Sequence, residues 1–433
     1  MNNFLKNFAN QLIVIFTIIK WVILSSFSGG ATGIAIVLFL TLLQKGETKL
    51  FEFQYYYFFL PIALFLSILI IRKFSPQSEG QGTEKVIEAI RKNNGKIDLK
   101  VFPIKLLATL MTILFGGSAG KVGPSAQLGA SFSLLIAKFI KFNDEDRKRF
   151  LLCGISAGFA GVLGTPLAGA FFASELIYIG KLSYKNFLPS LISAYTSFLV
   201  TSHFGINFIF HPINNEIEFS IIFILKMFLF GFFIGFVAIL FILIYKKLKK
   251  LFENLKIYPP LKGLIGGIII VIFVLIFDGR RYLGIGDNVV MASLLGEELP
   301  KISFLKKIFT TSMTLSSGGS GGIVSPILFI GASAGNLWAQ IFNESITLYS
   351  AIGITAFLSA CTNAPLAAII LTIELFGLHA GTYGAVAVII SYLVVGHLSI
   401  YQIEIVEKNK VYFADEKIQD SIYSFLEKFF KKK

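Results

Sequence analysis

The chain has 433 residues, of which 55% are hydrophobic and 15% charged, and its mean hydropathy is +0.75. One water-soluble core cannot hold that much apolar sequence, so the composition excludes an ordinary soluble domain and predicts a multi-pass protein surrounded by membrane lipid. The net charge of +14 does not indicate a nucleic-acid partner, because lysines and arginines cluster at the ends of apolar segments.

The apolar segments predict an all-α polytopic protein with well over ten helices. An amphipathic or interfacial start at 1–15 precedes helices around 16–43 and 55–74, and the stretch 75–100 is polar. Runs close to the ~20 residues that cross a bilayer lie at 55–71, 186–200, 219–245, 263–277 and 381–398. Runs interrupted by Gly, Ser or Pro, which predict partial or broken helices buried inside the protein, lie at 101–116, 120–137, 150–162, 305–315 and 321–341.

The distribution of basic residues predicts the orientation in the membrane. Basic clusters, which favour the cytoplasmic side, lie at 91–100, 138–149, 246–262 and 431–433. The loop at 206–218 has no Lys or Arg and is expected outside. Residues 402–433 are then a short cytoplasmic tail with an amphipathic helix near 416–430, too short for a regulatory domain. The compact chain favours the inner (cell) membrane of a prokaryote.

Two pairs of segments repeat one another in the same order. TLMTILFGGSAGKVGPSAQLGAS at 109–131 matches TSMTLSSGGSGGIVSPILFIGAS at 311–333, and 154–176 matches 353–375. The chain therefore contains two related halves, repeat one at about 55–205 and repeat two at about 263–400. Paired hydrophobic segments broken at corresponding positions predict inverted-topology repeats whose broken helices meet at a binding site near the membrane midplane.

Glycine-rich turns occupy matching places in the two halves. GGSAGKVGP at 116–124 and GGSGGIVSP at 318–326 each precede a helix-forming run, which is typical of a helix N-terminus with unbonded N–H groups. Such termini bind anions, and in the membrane they avoid the cost of fixing a full charge there. Alternatively, the glycines only allow helices to pack closely. Two copies with Pro at the same place favour the anion site.

These motifs resemble those of the CLC family of chloride channels and proton/chloride exchangers, over about residues 20–401. GKVGP at 120–124 resembles G-[KR]-E-G-P, and GGIVSP at 321–326 resembles G-x-F-x-P. GQGTEKVIEAI at 80–90 is a degraded match to the G-S-G-I-P region. TPLAGAFFASE and APLAAIILTIE resemble the twin APL-containing helices of the family, and Tyr401 follows the last apolar run, where the family has its pore tyrosine.

The resemblance implies an anion as substrate, no cofactor, and a homodimer in which each subunit has its own pore. It implies a central site made by the amides of Ile323 and Val324 and the hydroxyl of Tyr401. It also implies a more external anion site, made by the amides of Gly120, Lys121 and Val122. Gln81 stands where many relatives have a serine, and its amide can donate as well. Fluoride-selective relatives lack the proline of the first motif, so Pro124 favours chloride-like anions; 402–433 leaves no room for a CBS-type domain.

The sequence lacks the gating glutamate of the family, because Val122 stands at that position. The second proton-handling glutamate of well-studied exchangers falls at Leu176. Both differences predict passive anion conduction without tight proton coupling, because valine has neither charge nor proton. Two alternatives stay open: Val122 plugs the route, or a different carboxylate couples protons to anion exchange.

Glu175 and Glu374 occupy equivalent places near the ends of apolar segments in the two repeats. Carboxylates within the membrane suggest a functional role, and if the protein moves protons, Glu175 is the first candidate. The structural alternative, which we favour, is that each glutamate caps a neighbouring helix or pairs with a loop lysine. No Ser/His/Asp set, zinc motif or phosphate-binding loop adjoins the glycine turns, so we expect neither an enzyme nor a metal site.

Overall fold

The computed structural model describes residues 2–137, 142–176, 178–179, 182, 184–213, 220–401 and 405–406. The described residues form sixteen α-helices and two very short strands, which confirms the predicted all-α fold. The helices are α1 (Asn2–Phe51), α2 (Leu60–Phe74), α3 (Thr83–Lys92), α4 (Val101–Leu114), α5 (Val122–Ala137), α6 (Asp144–Leu163), α7 (Pro166–Glu175), α8 (Tyr184–His203), α9 (Ile221–Asn254), α10 (Pro259–Phe277), α11 (Asp287–Leu294), α12 (Ser303–Ser316), α13 (Val324–Phe342), α14 (Ile346–Thr362), α15 (Pro365–Phe376) and α16 (Leu378–Val395). Strands β1 (Tyr178–Ile179) and β2 (Ile405–Val406) pair in parallel.

The helix lengths match a protein that spans a membrane many times. Six helices in the described part of the chain are long and apolar enough to cross a bilayer. The interrupted runs become the shorter or more buried helices α4, α5, α6, α12 and α13, as the positions of their Gly and Pro residues predict. Of the tail 402–433, only β2 lies within the described residues, so the predicted helix near 416–430 lies outside them.

The N-terminal segment differs from the prediction. Instead of an interfacial start at 1–15 followed by a helix at 16–43, one continuous helix, α1, runs from Asn2 to Phe51. Its sequence contains no proline, and its glycines serve packing rather than breaking the helix. A side chain at Gly29 would come within 2.2 Å of the Ser193 carbonyl oxygen of α8, so the glycine permits the close contact of the two helices.

The two halves pack about an approximate twofold axis, because several contacts between them occur in pairs that the repeat relates. The Ser118 N–H donates to Thr314 Oγ1 and the Ser320 N–H donates to Thr112 Oγ1, at 3.0 and 3.1 Å. Within the halves, α5 packs on α6 as α13 packs on α14, and α7 packs on α15 across the interface. The threonine hydroxyls accept from backbone N–H groups that the broken helices leave free, which is a requirement in a membrane.

The end of α13 and helix α3, which packs against α5, lie near opposite ends of the long helix α9. Glu344, just after α13 ends, accepts from Lys226 in the second turn of α9 at 2.6 Å. Near the other end of α9, Lys249 lies 3.9 Å from Glu84 of α3, and α3 packs against α5. Gly120 and Gly322, just before α5 and α13, form an antiparallel bridge, so the N-termini of these two equivalent helices meet inside the protein, as in inverted repeats.

Candidate functional site at the meeting helix termini

The glycine turns before α5 and α13 join directly. The Gly120 N–H donates to the Gly322 carbonyl and the Gly322 N–H donates to the Gly120 carbonyl, both at 2.7 Å. A Cβ at Gly322 would lie 2.6 Å from the backbone nitrogen of Gly123, so only glycine allows the two turns to approach this closely. The predicted convergence of the two N-termini on one point is what the structure shows.

Several backbone N–H groups at this junction have no acceptor in the described part of the protein. On α5 they belong to Val122 and Gly123, and on α13 to Ile323, Val324 and Ser325. Pro124 and Pro326, at the third position of each helix, have no N–H. Two opposed sets of free donors, each carrying the partial positive charge of a helix N-terminus, form an environment suited to an anion.

The amides of Gly120 and Lys121 donate to groups of the other repeat, and their predicted role as anion donors stays a prediction. Gly120 donates to Gly322, as described above, and the Lys121 N–H donates to the Ser325 hydroxyl oxygen at 3.2 Å. Their amides therefore hold the two turns together, and Val122 is the member of this predicted trio whose N–H is free among the described residues. The Val122 side chain is buried, with 1% of its surface exposed.

Gln81 lies next to this junction in a loop with two left-handed glycines. Gly80 and Gly82 have φ of 86° and 81°, and a Cβ at Gly82 would lie 2.4 Å from the Gly123 carbonyl oxygen. The loop is thereby pressed against the N-terminus of α5. The Gln81 side chain is buried, and its Nε2 donates to the Tyr245 hydroxyl oxygen on α9 at 2.7 Å.

Two buried lysines, which the sequence interpretation missed, hold the equivalent loops of the two halves. Lys105 Nζ donates to the carbonyls of Ser78 and Gly80 at 3.2 and 2.6 Å. Lys307 Nζ donates to the carbonyls of Tyr282 and Gly284 at 3.2 and 2.8 Å. Neither ammonium has a carboxylate within ion-pair distance among the described residues.

These lysines place two amines in the interior, at equivalent points of the two repeats. In the protonated form, each amine attracts anions across a low-dielectric region. The sequence did carry a signal: Lys307 follows Lys105 by the same number of residues as Thr311 follows Thr109, and GIGDNVVMASL at 284–294 repeats GQGTEKVIEAI at 80–90. Extending the repeat upstream would have identified both.

Glu175 and Glu374 cap each other's helices across the repeat interface. Glu175 accepts from the N–H groups of Leu366 and Ala367 at 3.2 and 2.8 Å, at the start of α15. Glu374 accepts from the N–H groups of Leu167 and Ala168 at 2.9 and 2.8 Å, at the start of α7. Each carboxylate satisfies two free amides and faces the positive end of a helix dipole, so the geometry favours the structural alternative for both.

Two polar cavities lie on opposite sides of the junction. One, of about 600 Å³, includes Glu47, Arg280, Asp287 and Lys306 in its lining, and Asp287 accepts from Lys121 Nζ at 2.7 Å. This ion pair joins the charged side chain of the first glycine motif to a residue that lines the cavity.

The second cavity, of about 490 Å³, lies on the side where α9 ends, and Gln81 and Tyr245 line it. Its charged lining residues are Arg72, Glu79, Glu84, Lys85, Glu88, Lys92, Lys249, Glu253 and Lys262. Lys85 donates to Glu88 at 2.9 Å and thereby holds the pKa of that carboxyl below its ordinary value. Five basic and four acidic side chains thus line this cavity.

Tyr401 is buried and follows the last helix closely. The N–H of the preceding residue, Ile400, donates to the Cys361 carbonyl on α14 at 3.0 Å, and the Tyr401 N–H donates to the Ser399 hydroxyl at 3.1 Å. These bonds fix the residue beside the second repeat. Its predicted role as an anion ligand together with Ile323 and Val324 stays a prediction.

The inverted helical repeats, the opposed helix termini and the paired cavities define a membrane protein of the anion-transporting class. Residues 62–396 match the family described as voltage gated chloride channel, and the chain belongs to this family. A chloride/fluoride channel protein of Pseudomonas syringae pv. tomato is 30% identical over 92% of this chain and 89% of its own length.

Two solved structures show the same fold. A CLC-type fluoride/proton antiporter has a TM-score of 0.86 and 27% identity, covering 90% of this chain and 99% of its own. A slow cyanobacterial Cl−/H+ antiporter has a TM-score of 0.76 and 20% identity, covering 87% and 94%. The chain is therefore an integral, multi-pass CLC protein, and its relatives carry both channel and antiporter names.

Proposed function

We propose that the protein is a passive anion channel or uncoupled anion transporter for chloride-like anions. The observation that carries this proposal is the residue at the start of α5. Val122 offers a free backbone amide to the junction while its side chain supplies neither a charge that competes with the anion nor a proton to exchange for it. The free amides of α13 face the same point from the opposite repeat.

The positions of the two intramembrane glutamates argue against the alternative of a proton-coupled exchanger. Glu175 and Glu374 each accept two backbone hydrogen bonds at helix starts away from the α5 and α13 termini. Taking up a proton would weaken both bonds and the interaction with the helix dipole. This cost disfavours a role for either carboxylate as a proton carrier during each transport cycle.

Chloride is the proposed substrate, with fluoride as a second candidate. Pro124 at the third position of α5 favours chloride by resemblance. Fluoride is a candidate because the Pseudomonas relative is named a chloride/fluoride channel protein and the structural neighbour at TM-score 0.86 is a fluoride/proton antiporter. Backbone amides and buried ammonium groups attract both ions, so the two must be compared directly.

We further propose a homodimer in the inner (cell) membrane of a prokaryote, with the C-terminus in the cytoplasm. The basic residues that line the cavity at the end of α9 support this orientation, because that cavity then faces the cytoplasm. Membrane lipid would cover the exposed apolar side chains of α1, α9 and α10.

The test is anion efflux from liposomes containing the purified protein, with ion-selective electrodes for chloride and fluoride and internal pH recorded in parallel. We expect fast chloride efflux that requires valinomycin to dissipate the voltage, with no stoichiometric proton movement. Proton uptake that follows chloride efflux in a fixed ratio would overturn the passive mechanism. Fluoride efflux much faster than chloride efflux would replace the proposed substrate, and protein-free liposomes provide the baseline.

A further inference from the structure

Gln81 and Tyr245 form a hydrogen-bonded pair between the inner cavity and the junction of α5 with α13. Both side chains are 2% exposed and both line the cavity. Toward the junction, a Cβ at Gly123 would lie 2.3 Å from the Gln81 carbonyl oxygen, so the backbone of Gln81 touches the start of α5. The pair therefore connects the lining of the cavity with the start of α5, on the proposed route of the anion.

The pair has an unequal balance of donors and acceptors. Gln81 Nε2 donates to the Tyr245 hydroxyl oxygen at 2.7 Å, whereas Gln81 Oε1 is buried and has no hydrogen-bond partner in the described part of the chain. A buried carbonyl without a donor is unfavourable. Its negative end also opposes an anion that approaches along this route.

A half-turn of the amide gives Oε1 a donor and leaves both amide N–H groups without a protein acceptor. The Tyr245 hydroxyl then donates to Gln81 Oε1, and the NH2 group takes the position that Oε1 held. The amide and the hydroxyl together carry three hydrogens, and their mutual bond uses one. In the turned arrangement the acceptor oxygen is masked by Tyr245 and both amide hydrogens face the route, so an anion stabilises this arrangement over the other.

We propose that Tyr245 is a positioning residue that sets the anion preference through Gln81. Its hydroxyl accepts from Gln81 Nε2 when no anion is bound and donates to Gln81 Oε1 when an anion is bound. Tyr245 therefore holds the Gln81 amide in both arrangements. A small anion of high charge density gains more from two aligned N–H donors than a larger, more diffuse anion does. The Tyr245 hydroxyl thereby favours chloride over nitrate, without itself contacting the anion.

The positively charged groups near the pair support this role, because they attract anions but do not orient hydrogen-bond donors toward them. Lys105 Nζ is bonded to the carbonyl of Gly80, the residue before Gln81, and Lys249 Nζ lies 6.0 Å from the centre of the Tyr245 ring. These ammonium groups attract every anion alike. Discrimination needs directed donors, and the Gln81 amide held by Tyr245 provides them.

The experiment measures the chloride-to-nitrate flux ratio in liposomes for four proteins: wild type, Tyr245→Phe, Gln81→Met and the double variant. Phenylalanine keeps the ring next to Phe241 and Lys249, and methionine keeps most of the Gln81 side-chain shape without its donors. Tyr349→Phe is the matched control, because Tyr349 is also buried and packs against α9 through Phe230, at a ring distance of 5.0 Å.

We expect Tyr245→Phe to lower the ratio about threefold to tenfold, the factor that one neutral hydrogen bond typically provides. Gln81→Met should lower it by a similar factor, the double variant should show no further change, and Tyr349→Phe should leave it unchanged. An equal additional loss in the Gln81→Met background would overturn the proposal, because Tyr245 would then act independently of Gln81. A reduced melting temperature with an unchanged ratio would also overturn it.

This inference rests on anion transport through the proposed route but not on its being passive. If wild-type protein moves protons with the anion, the passive mechanism fails, and the ratio is measured on the exchange flux instead. If wild-type protein carries anions and Tyr245→Phe leaves their ratio unchanged, the inference about Tyr245 fails alone.

Discussion

Replacing Glu175 tests whether the intramembrane carboxylates serve the fold or proton transport. Glu175 accepts N–H groups of Leu366 and Ala367 at 3.2 and 2.8 Å, and 9% of its surface is exposed. A hydrogen bond to a charged group contributes about 1.5–3 kcal/mol, and a helix dipole adds up to ~2 kcal/mol in a partly buried geometry. Because such contributions are not additive, we expect Glu175→Ala to cost about 2–4 kcal/mol of unfolding free energy. Glu175→Gln should cost about 1–2 kcal/mol, because its amide oxygen still accepts one bond.

The assay combines unfolding in a denaturing detergent with the efflux and internal-pH measurement on the same variants. Glu344→Gln is the control, because Glu344 forms a 2.6 Å pair with the half-exposed Lys226, and such pairs contribute at most about 1 kcal/mol. The expected result is lower stability with unchanged proton movement. If Glu175→Gln kept full stability but altered proton movement, the capping interpretation would be refuted and a proton path through Glu175 established.

Three further outcomes follow from the site. Val122→Glu should make anion efflux pH-dependent, high when the introduced carboxyl is protonated and lower as it ionises and competes with the anion; flux that stays flat from acid to neutral pH would place residue 122 off the route. Lys105→Met should lower chloride affinity in titration calorimetry by about tenfold or more, whereas unchanged affinity would confine Lys105 to loop packing. Gly322→Ala should abolish flux and reduce stability, because its Cβ would lie 2.6 Å from the Gly123 nitrogen, and normal flux in this variant would contradict the observed junction.

Local signals in the sequence predicted most of the fold. Gly and Pro mark where α5 and α13 begin, and the repeated segments imply that contacts across the interface occur in matching pairs. The division into a start at 1–15 and a helix at 16–43 does not appear as separate elements. Nothing in residues 1–15 prevents helix propagation, and α1 runs continuously through both stretches.

The details of the site depend on partners that are distant in sequence. Gln81 could be identified as a possible donor, but Tyr245 lies 164 residues further along and only the fold brings them together. The amides of Gly120 and Lys121 looked available because acceptors from the other repeat are invisible in a local motif. Lys105 was overlooked for a similar reason. A lysine in an apolar run usually marks the end of a membrane segment, and its buried position is evident only once its carbonyl acceptors are known.

The exchanged contacts between the repeats mean that neither half of this chain is complete. Each half leaves helix starts bare and carries the carboxylate that the other half needs, as Glu175 and Glu374 show. A half produced alone would have to bury unsatisfied amides in lipid, unless it met a second copy of itself inserted in the opposite orientation. The molecule therefore has the internal organisation of an antiparallel dimer whose two members have become one polypeptide.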